Sequence, residues 1–323
     1  IPTICIGNIS VGGTGKTPHT EYLVNLLRNQ YKVAVLSRGY KRHSRGYLLA
    51  NEDSQARAIG DEPFQIKNKF SDIRVAVDEN RCHGIEQLLQ LKDPEVDVIL
   101  LDDAFQHRYV KAGINILLTD YNRLFCEDKL LPAGRLRESR KGKNRAQIVI
   151  VTKCPADIKP IDFKIISKQL DLFPFQKLYF STFQYGKLTP VFKNLEQTER
   201  ALSSIQADEQ ILLLTGIASP LTLVNELHNY TSHVDYLAFD DHHDFSAKDM
   251  ELLHERFNQI KAEKKIIVTT EKDAARLLDH TALKNELKSY LYALPIEVKI
   301  LQNQEKKFNQ NIIGYVRENK KNS

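Results

Sequence analysis

Only four cysteines occur in the 323 residues, and Cys5, Cys82, Cys126 and Cys154 stand far apart with no C-x-x-C pair. That excludes a disulfide framework or a zinc ribbon and leaves reduced thiols, as expected in a cytosolic setting. Long apolar runs are missing too. None approaches the roughly 18 to 20 residues that span a bilayer, and no secretory signal pattern is present. A large charge of one sign is also missing: 46 basic residues face 41 acidic ones, for a net +5. The excess is too small to argue for nucleic acid, though it admits an anionic substrate or membrane surface. There are no internal repeats or low-complexity tracts. The chain opens at Ile1, without Met, inside a strand-like run, and we expect an upstream segment before it.

What is present is a core-forming chain, 42% apolar and 27% charged, with length enough for two domains. Short apolar runs alternate with helix-period stretches, the pattern of parallel βα units. "PTICIG" (2–7), "YKVAVLS" (31–37), "IRVAV" (73–77), "VDVILLDD" (96–103), "INILLTD" (114–120) and "AQIVIVTK" (146–153) read as strands. Their near-continuous apolar character fits burial on both faces. The fold class is α/β, with a doubly wound domain over residues 1–176. "KLYFSTFQYGKLTPVF" (177–192) alternates around a Tyr-Gly turn and is predicted to form a β-hairpin linker. Residues 193–323 are predicted to form a smaller α/β domain. Within it 211–220 reads as strand then turn, 233–239 as a strand and 264–278 as strand-loop-helix, and an exposed helix with a frayed basic end closes it.

The stretch "GNISVGGTGKT" (7–17) lies between the first strand and a helix. In a phosphate loop, successive backbone N–H groups point at phosphate oxygens and the following helix adds its positive dipole end. Gly12, Gly13, Thr14 and Gly15 form such a nest before Lys16 and Thr17. Lys16 would reach the β- and γ-phosphates, and Thr17 would serve Mg²⁺. The strict G-x-x-x-x-G-K-[ST] pattern fails at its first position, where Ser10 stands. Asp102 and Asp103, in "VDVILLDDAFQH", project from the carboxyl end of a strand, where open α/β sheets bind ligands. One of them would hold Mg²⁺. The later "VTKCP" has Pro155 where a guanine-reading loop needs Asp, so ATP is the expected nucleotide.

Taken in order, "GNISVGGTGKTP", "SRGY" (37–40), "GDEP" (60–63), "DDAFQH" (102–107), "PAGRLRE" (132–138) and "DHH" (241–243) resemble the tetraacyldisaccharide 4′-kinase family, the lipid A 4′-kinases. The resemblance implies two α/β/α domains joined by a two-stranded linker. It implies ATP-dependent phosphorylation of the 4′-hydroxyl of an acylated disaccharide 1-phosphate at the cytoplasmic face of the bacterial inner membrane, by a peripheral protein that we expect to be a monomer. It further implies Asp61 as the group that takes the hydroxyl proton, with His242 as its partner and Lys16 and Arg137 serving the transferring phosphoryl. Asp102, Asp103 and Glu138 become acids of the Mg²⁺ and phosphate site. Arg38, Tyr40, Arg81, Gln106 and His107 face the disaccharide and its phosphate. One departure stands out: the family's usual glycine in "DDGFQH" is Ala104 here, which argues against a positive φ at that residue.

Two other functions compete. A switch-type P-loop ATPase of the partitioning or metal-delivery kind shares "GGTGKT", but its signalling lysine is replaced by Val11. A non-enzymatic binder of anionic lipid or nucleic acid is disfavoured by the balanced charge. "TTEKDAARLL" (269–278) reads as a helix start with acids in its first turn. His243 and Asp244 read as surface neighbours, and Lys320 and Lys321 as solvated.

Overall fold

The computed structural model describes residues 1–192, 197–217, 220–241 and 243–320. The chain divides into two compact units, one of residues 1–184 with 297–323 and one of residues 185–296.

In the first unit the strands are β1 (Thr3–Asn8), β2 (Val33–Ser37), β3 (Leu48–Leu49), β4 (Arg74–Val77), β5 (Val98–Asp102), β6 (Ile114–Asp120), β7 (Ile148–Thr152) and β8 (Lys177–Tyr185). The helices are α1 (Lys16–Leu27), α2 (Ala56–Ile59), α3 (Asp61–Lys69), α4 (Arg81–Leu89) and α5 (Pro160–Leu170). The second unit holds β9 (Thr189–Pro190), β10 (Gln210–Thr215), α6 (Pro220–His228), β11 (Val234–Ala238), α7 (Ala247–Gln259), β12 (Lys265–Thr270), α8 (Glu271–Leu278), α9 (Asn285–Lys288) and β13 (Leu291–Leu294). The chain then returns through β14 (Ile296–Ile300) to α10 (Glu305–Lys320) in the first unit.

The first sheet runs β14-β8-β7-β6-β1-β5-β2-β4-β3. Every residue of β1, β2, β5 and β7 is buried, which explains the unbroken apolar runs. β1 lies parallel to both β5 and β6. The chain winds outward from β1 to β4, returns to β5, and crosses β1 to reach β6. The winding therefore reverses beside β1, and a crevice opens there at the strands' carboxyl ends. The second sheet runs β11-β10-β12-β13-β9, with β10 parallel to β11 and β12.

Two boundaries differ from the sequence reading. Residues 177–192 do not form a hairpin. β8 pairs in parallel with β7, whereas β9 pairs antiparallel with β13 in the other sheet. The alternation of "KLYFSTFQY" reflects a strand with a buried centre and exposed ends. The last helix is not a loose appendage of the smaller unit. α10 buries Phe308, Ile312 and Val316, and the Thr3 amide donates to the Tyr315 hydroxyl at 3.2 Å. Asn311 donates to the Tyr179 hydroxyl at 2.6 Å.

Candidate active site

The phosphate loop begins in extended backbone, and this accounts for Ser10. Ser10 forms an antiparallel bridge with Leu136. Val11 N donates to Arg135 O at 2.7 Å, and Arg137 N donates to Ile9 O at 2.7 Å. A residue held this way needs no glycine. Positive φ is needed later, at Gly12 (113°) and Gly15 (83°). A side chain at Gly12 or Gly13 would meet nothing within 4 Å, so this face of the loop is open. Thr14 is buried: its hydroxyl accepts from Asn8 Nδ2 at 2.8 Å, and its carbonyl accepts from Thr152 Oγ1 at 2.9 Å. The Thr14 amide donates back to Gly12 O at 3.1 Å. Thr17 follows Lys16 in the first turn of α1.

The same strap that bridges Ser10 carries Arg137 to Asp103. Lys16 Nζ lies 3.6 Å from Asp103 Oδ2, and Arg137 Nη1 lies 3.5 Å from the same oxygen. Asp102 ends β5 in register with Ile6 of β1. Its Oδ1 accepts from Thr20 on α1 at 2.9 Å. Burial, with Asp103 beside it, raises the Asp102 carboxyl above its ordinary value. Asp102 Oδ2 and Asp103 Oδ1 are buried acceptors without a partner. Orphaned carboxylate oxygens beside a lysine and an open glycine nest are the donor set a phosphate-bound Mg²⁺ needs. The positive φ of this turn falls on Asp103 (45°), which leaves Ala104 in ordinary backbone.

Glu138, expected among the acids of the metal and phosphate site, is held by three donors. Its Oε1 accepts from Arg145 at 2.7 Å and Gln106 at 3.1 Å, and its Oε2 accepts from Arg108 at 3.1 Å. Burial alone would raise this carboxyl, but those donors hold it below its ordinary value. With its oxygens already engaged, Glu138 fixes the loop that carries Arg137. Gln106 is engaged on the other side as well, donating to Asn8 O at 2.6 Å.

Among the residues expected to face the acceptor, Arg38 and Tyr40 are exposed beyond the end of β2, while Arg81 is buried. Arg81 donates to Asp78 O at 2.6 Å and Asp102 O at 3.4 Å. It supports the floor of the site, and its Nε has no partner. His107 has a buried, unpartnered Nδ1. Burial and the charges of Arg81 and Arg38 push its imidazole below the usual range. Asp61 opens α3 behind Gly60. His242 lies outside the described residues. His243, read from sequence as a mere neighbour, pairs with Asp249 at 2.9 Å.

Sequence reasoning passed over His19, which is buried on α1, three residues after Lys16. Its Nδ1 lies 2.7 Å from Gly15 O and its Nε2 lies 3.0 Å from Ser181 Oγ. Burial pushes its imidazole down to about 4. A histidine among the inward residues of the loop's own helix was the signal available.

Residues 1–317 match the family model for LpxK, tetraacyldisaccharide-1-P 4′-kinase. A tetraacyldisaccharide 4′-kinase of Bacteroides fragilis is 67% identical over all of this chain and 86% of its own length. One from Porphyromonas gingivalis is 44% identical over 99% of this chain and 89% of its own. The crystal structure of "apo" form LpxK from Aquifex aeolicus in complex with ATP is 27% identical. It superposes with a TM-score of 0.72, covering 98% of this chain and 88% of that one. The kinase reading is favoured over the switch-type ATPase, and the chain belongs to the tetraacyldisaccharide-1-P 4′-kinase family.

Proposed function

We propose that this chain transfers the γ-phosphoryl group of ATP to the 4′-hydroxyl of a tetraacylated disaccharide 1-phosphate, the lipid A precursor. One observation carries the chemistry: a glycine nest whose lysine faces a pair of aspartates with orphaned oxygens. Membership of the family carries the acceptor, and an ATP complex of a relative supports the donor.

The loop amides and Lys16 would hold the phosphates, and Arg137 would meet charge that builds on the transferring group. Asp102, Asp103 and Thr17 would hold Mg²⁺, which when bound neutralises phosphate charge. Asp61 would take the proton of the attacking hydroxyl. Arg38, Tyr40 and His107 would receive the sugar phosphate, a task to which the arginine fork is suited. The acceptor's acyl chains belong in a bilayer and ATP belongs to the cytoplasm. The reading therefore places the enzyme at the cytoplasmic face of the bacterial inner membrane, as a peripheral monomer. Among the described residues no helix is long and apolar enough to cross a membrane.

The test is transfer of labelled phosphate from Mg-ATP to a tetraacyl disaccharide 1-phosphate, with the site of phosphorylation mapped. Product without a 4′-phosphate would overturn the assignment. Asp61→Ala should abolish transfer with ATP binding intact, and a fully active variant would remove Asp61 from its role.

A further inference from the structure

The unexplained feature of the site is the buried imidazole on the phosphate-loop helix. Polar side chains are rarely placed inside without a task, and a buried one must be hydrogen-bonded. His19 is 4% exposed, and both its nitrogens have partners. Nδ1 faces the Gly15 carbonyl at 2.7 Å, so it carries its hydrogen there. Nε2 faces the Ser181 hydroxyl at 3.0 Å and can accept from it. Ser181 is fully buried in β8, and its own carbonyl accepts from Cys154 N at 2.9 Å.

The acceptor of that Nδ1–H bond gives the contact its meaning. In a trans peptide the C=O and the next N–H point in opposite directions. Anchoring Gly15 O inward therefore turns the Lys16 N–H outward, to the side where a phosphate would sit. The helix's own hydrogen bond does not do this firmly, because His19 N lies a long 3.3 Å from Gly15 O. Gly15 is also the loop residue with a left-handed backbone (φ 83°, ψ 29°) immediately before Lys16. A second contact from β8 fixes it. The Phe183 ring would lie 2.6 Å from any Cβ at position 15, and it packs against His19 with ring centroids 6.1 Å apart.

We propose that His19 is a positioning residue for the nucleotide's phosphates, a brace that ties the Gly15 carbonyl to Ser181 of β8 and so presets the Lys16 amide. This rests on the reading that residues 9–17 receive a nucleotide. Its rival is an ordinary core histidine that stabilises the fold and nothing more.

Asparagine places an amide donor where Nδ1 stands but cannot reach Ser181. Phenylalanine fills the space with no donor. The affinity for ATP is measured by titration calorimetry on the full chain, alongside the melting temperature without nucleotide and the KM for the acceptor. His19→Phe should weaken ATP binding about tenfold or more, with the acceptor KM unmoved. His19→Asn and Ser181→Ala each keep a donor for Gly15 O but lose the tie to β8, and each should weaken binding by about threefold, less than His19→Phe. If wild-type protein binds no ATP, the nucleotide reading itself is lost. If wild type binds and His19→Phe binds equally well, with only its melting temperature lowered, the brace is refuted and the core-histidine rival stands. Should His19→Phe fail to fold, His19→Asn and Ser181→Ala still decide. ATP affinity unchanged in both of these variants would overturn the proposal.

Discussion

At the carboxyl end of β1 two aspartates each keep a buried oxygen without a partner. At the carboxyl end of β10 the oxygens of a third aspartate are all engaged. Asp273 accepts at Oδ2 from Thr270 Oγ1 (2.7 Å), Gly216 N (2.9 Å) and Thr215 Oγ1 (3.2 Å), and at Oδ1 from Arg276 (3.3 Å). Yet β1 and β10 occupy equivalent places, each parallel to a neighbour on either side and each followed by a glycine-containing loop. Topology opens a crevice in both sheets. Which crevice is ready for a charged ligand depends on whether the polar groups at its floor are already satisfied. The same contrast explains "TTEKDAARLL": its acid is more than a helix-start charge, since Thr270 caps α8 while Asp273 and Arg276 tie loops 215–216 and 243 together.

The contrast can be broken by substitution. The largest effect on stability is expected from Asp273→Ala, which removes the acceptor shared by Thr270, Gly216 and Thr215 and the carboxylate facing Arg276. Loss of about 3–5 kcal/mol is expected by urea denaturation, and an unchanged midpoint would mean the satisfied site is not a structural one. Asp102→Asn should do the reverse. Kinase activity should fall about 10²-fold or more. Stability without nucleotide should hold or rise by about 1 kcal/mol, as a desolvated charge beside Asp103 is removed. A stability loss matching that of Asp273→Ala would erase the distinction.

An intermediate effect follows from His19, folded about 4 against an ordinary 6.5. Its depressed value means that the unfolded chain takes up the proton first as pH falls. Stability is therefore full above 6.5 and declines toward 4, by up to about 3 kcal/mol from this group. Comparing wild type with His19→Asn across that window isolates the contribution, and parallel curves would refute it. Smallest of all is Arg108→Ala. Arg108 is 68% exposed where it meets Glu138, and Arg145 and Gln106 hold the same carboxylate. A loss of no more than about 0.5 kcal/mol is expected. A larger one would move the rim of the site into its working floor.

The buried strands β1, β2, β5, β6 and β7 were legible because burial on both faces writes itself as an unbroken apolar run. The turn at 12–15 was legible because positive φ at Gly12 and Gly15 demands glycine. β8 was not, because the parallel pairing with β7 that makes it a sheet strand is non-local and leaves no local mark. The partners of Arg81 and Glu138 were not legible for a related reason. An arginine or glutamate in a motif reads the same whether it reaches a ligand or props the loop beneath one, and only their partners tell them apart. His19 left a faint trace, one polar residue on an inward face. Ala104 was read correctly as ordinary backbone, with the strained conformation passed to Asp103.

The return of β14 and α10 to the first unit has a consequence for synthesis. The second unit, residues 185–296, is continuous and would leave the ribosome whole. The first unit would still lack α10, whose Tyr315 hydroxyl donates back to Thr3 O at 3.3 Å. β1 is thus made well before the helix that covers its amino end. Loss of α10 would be felt first at Thr3, at the amino end of the sheet's central strand.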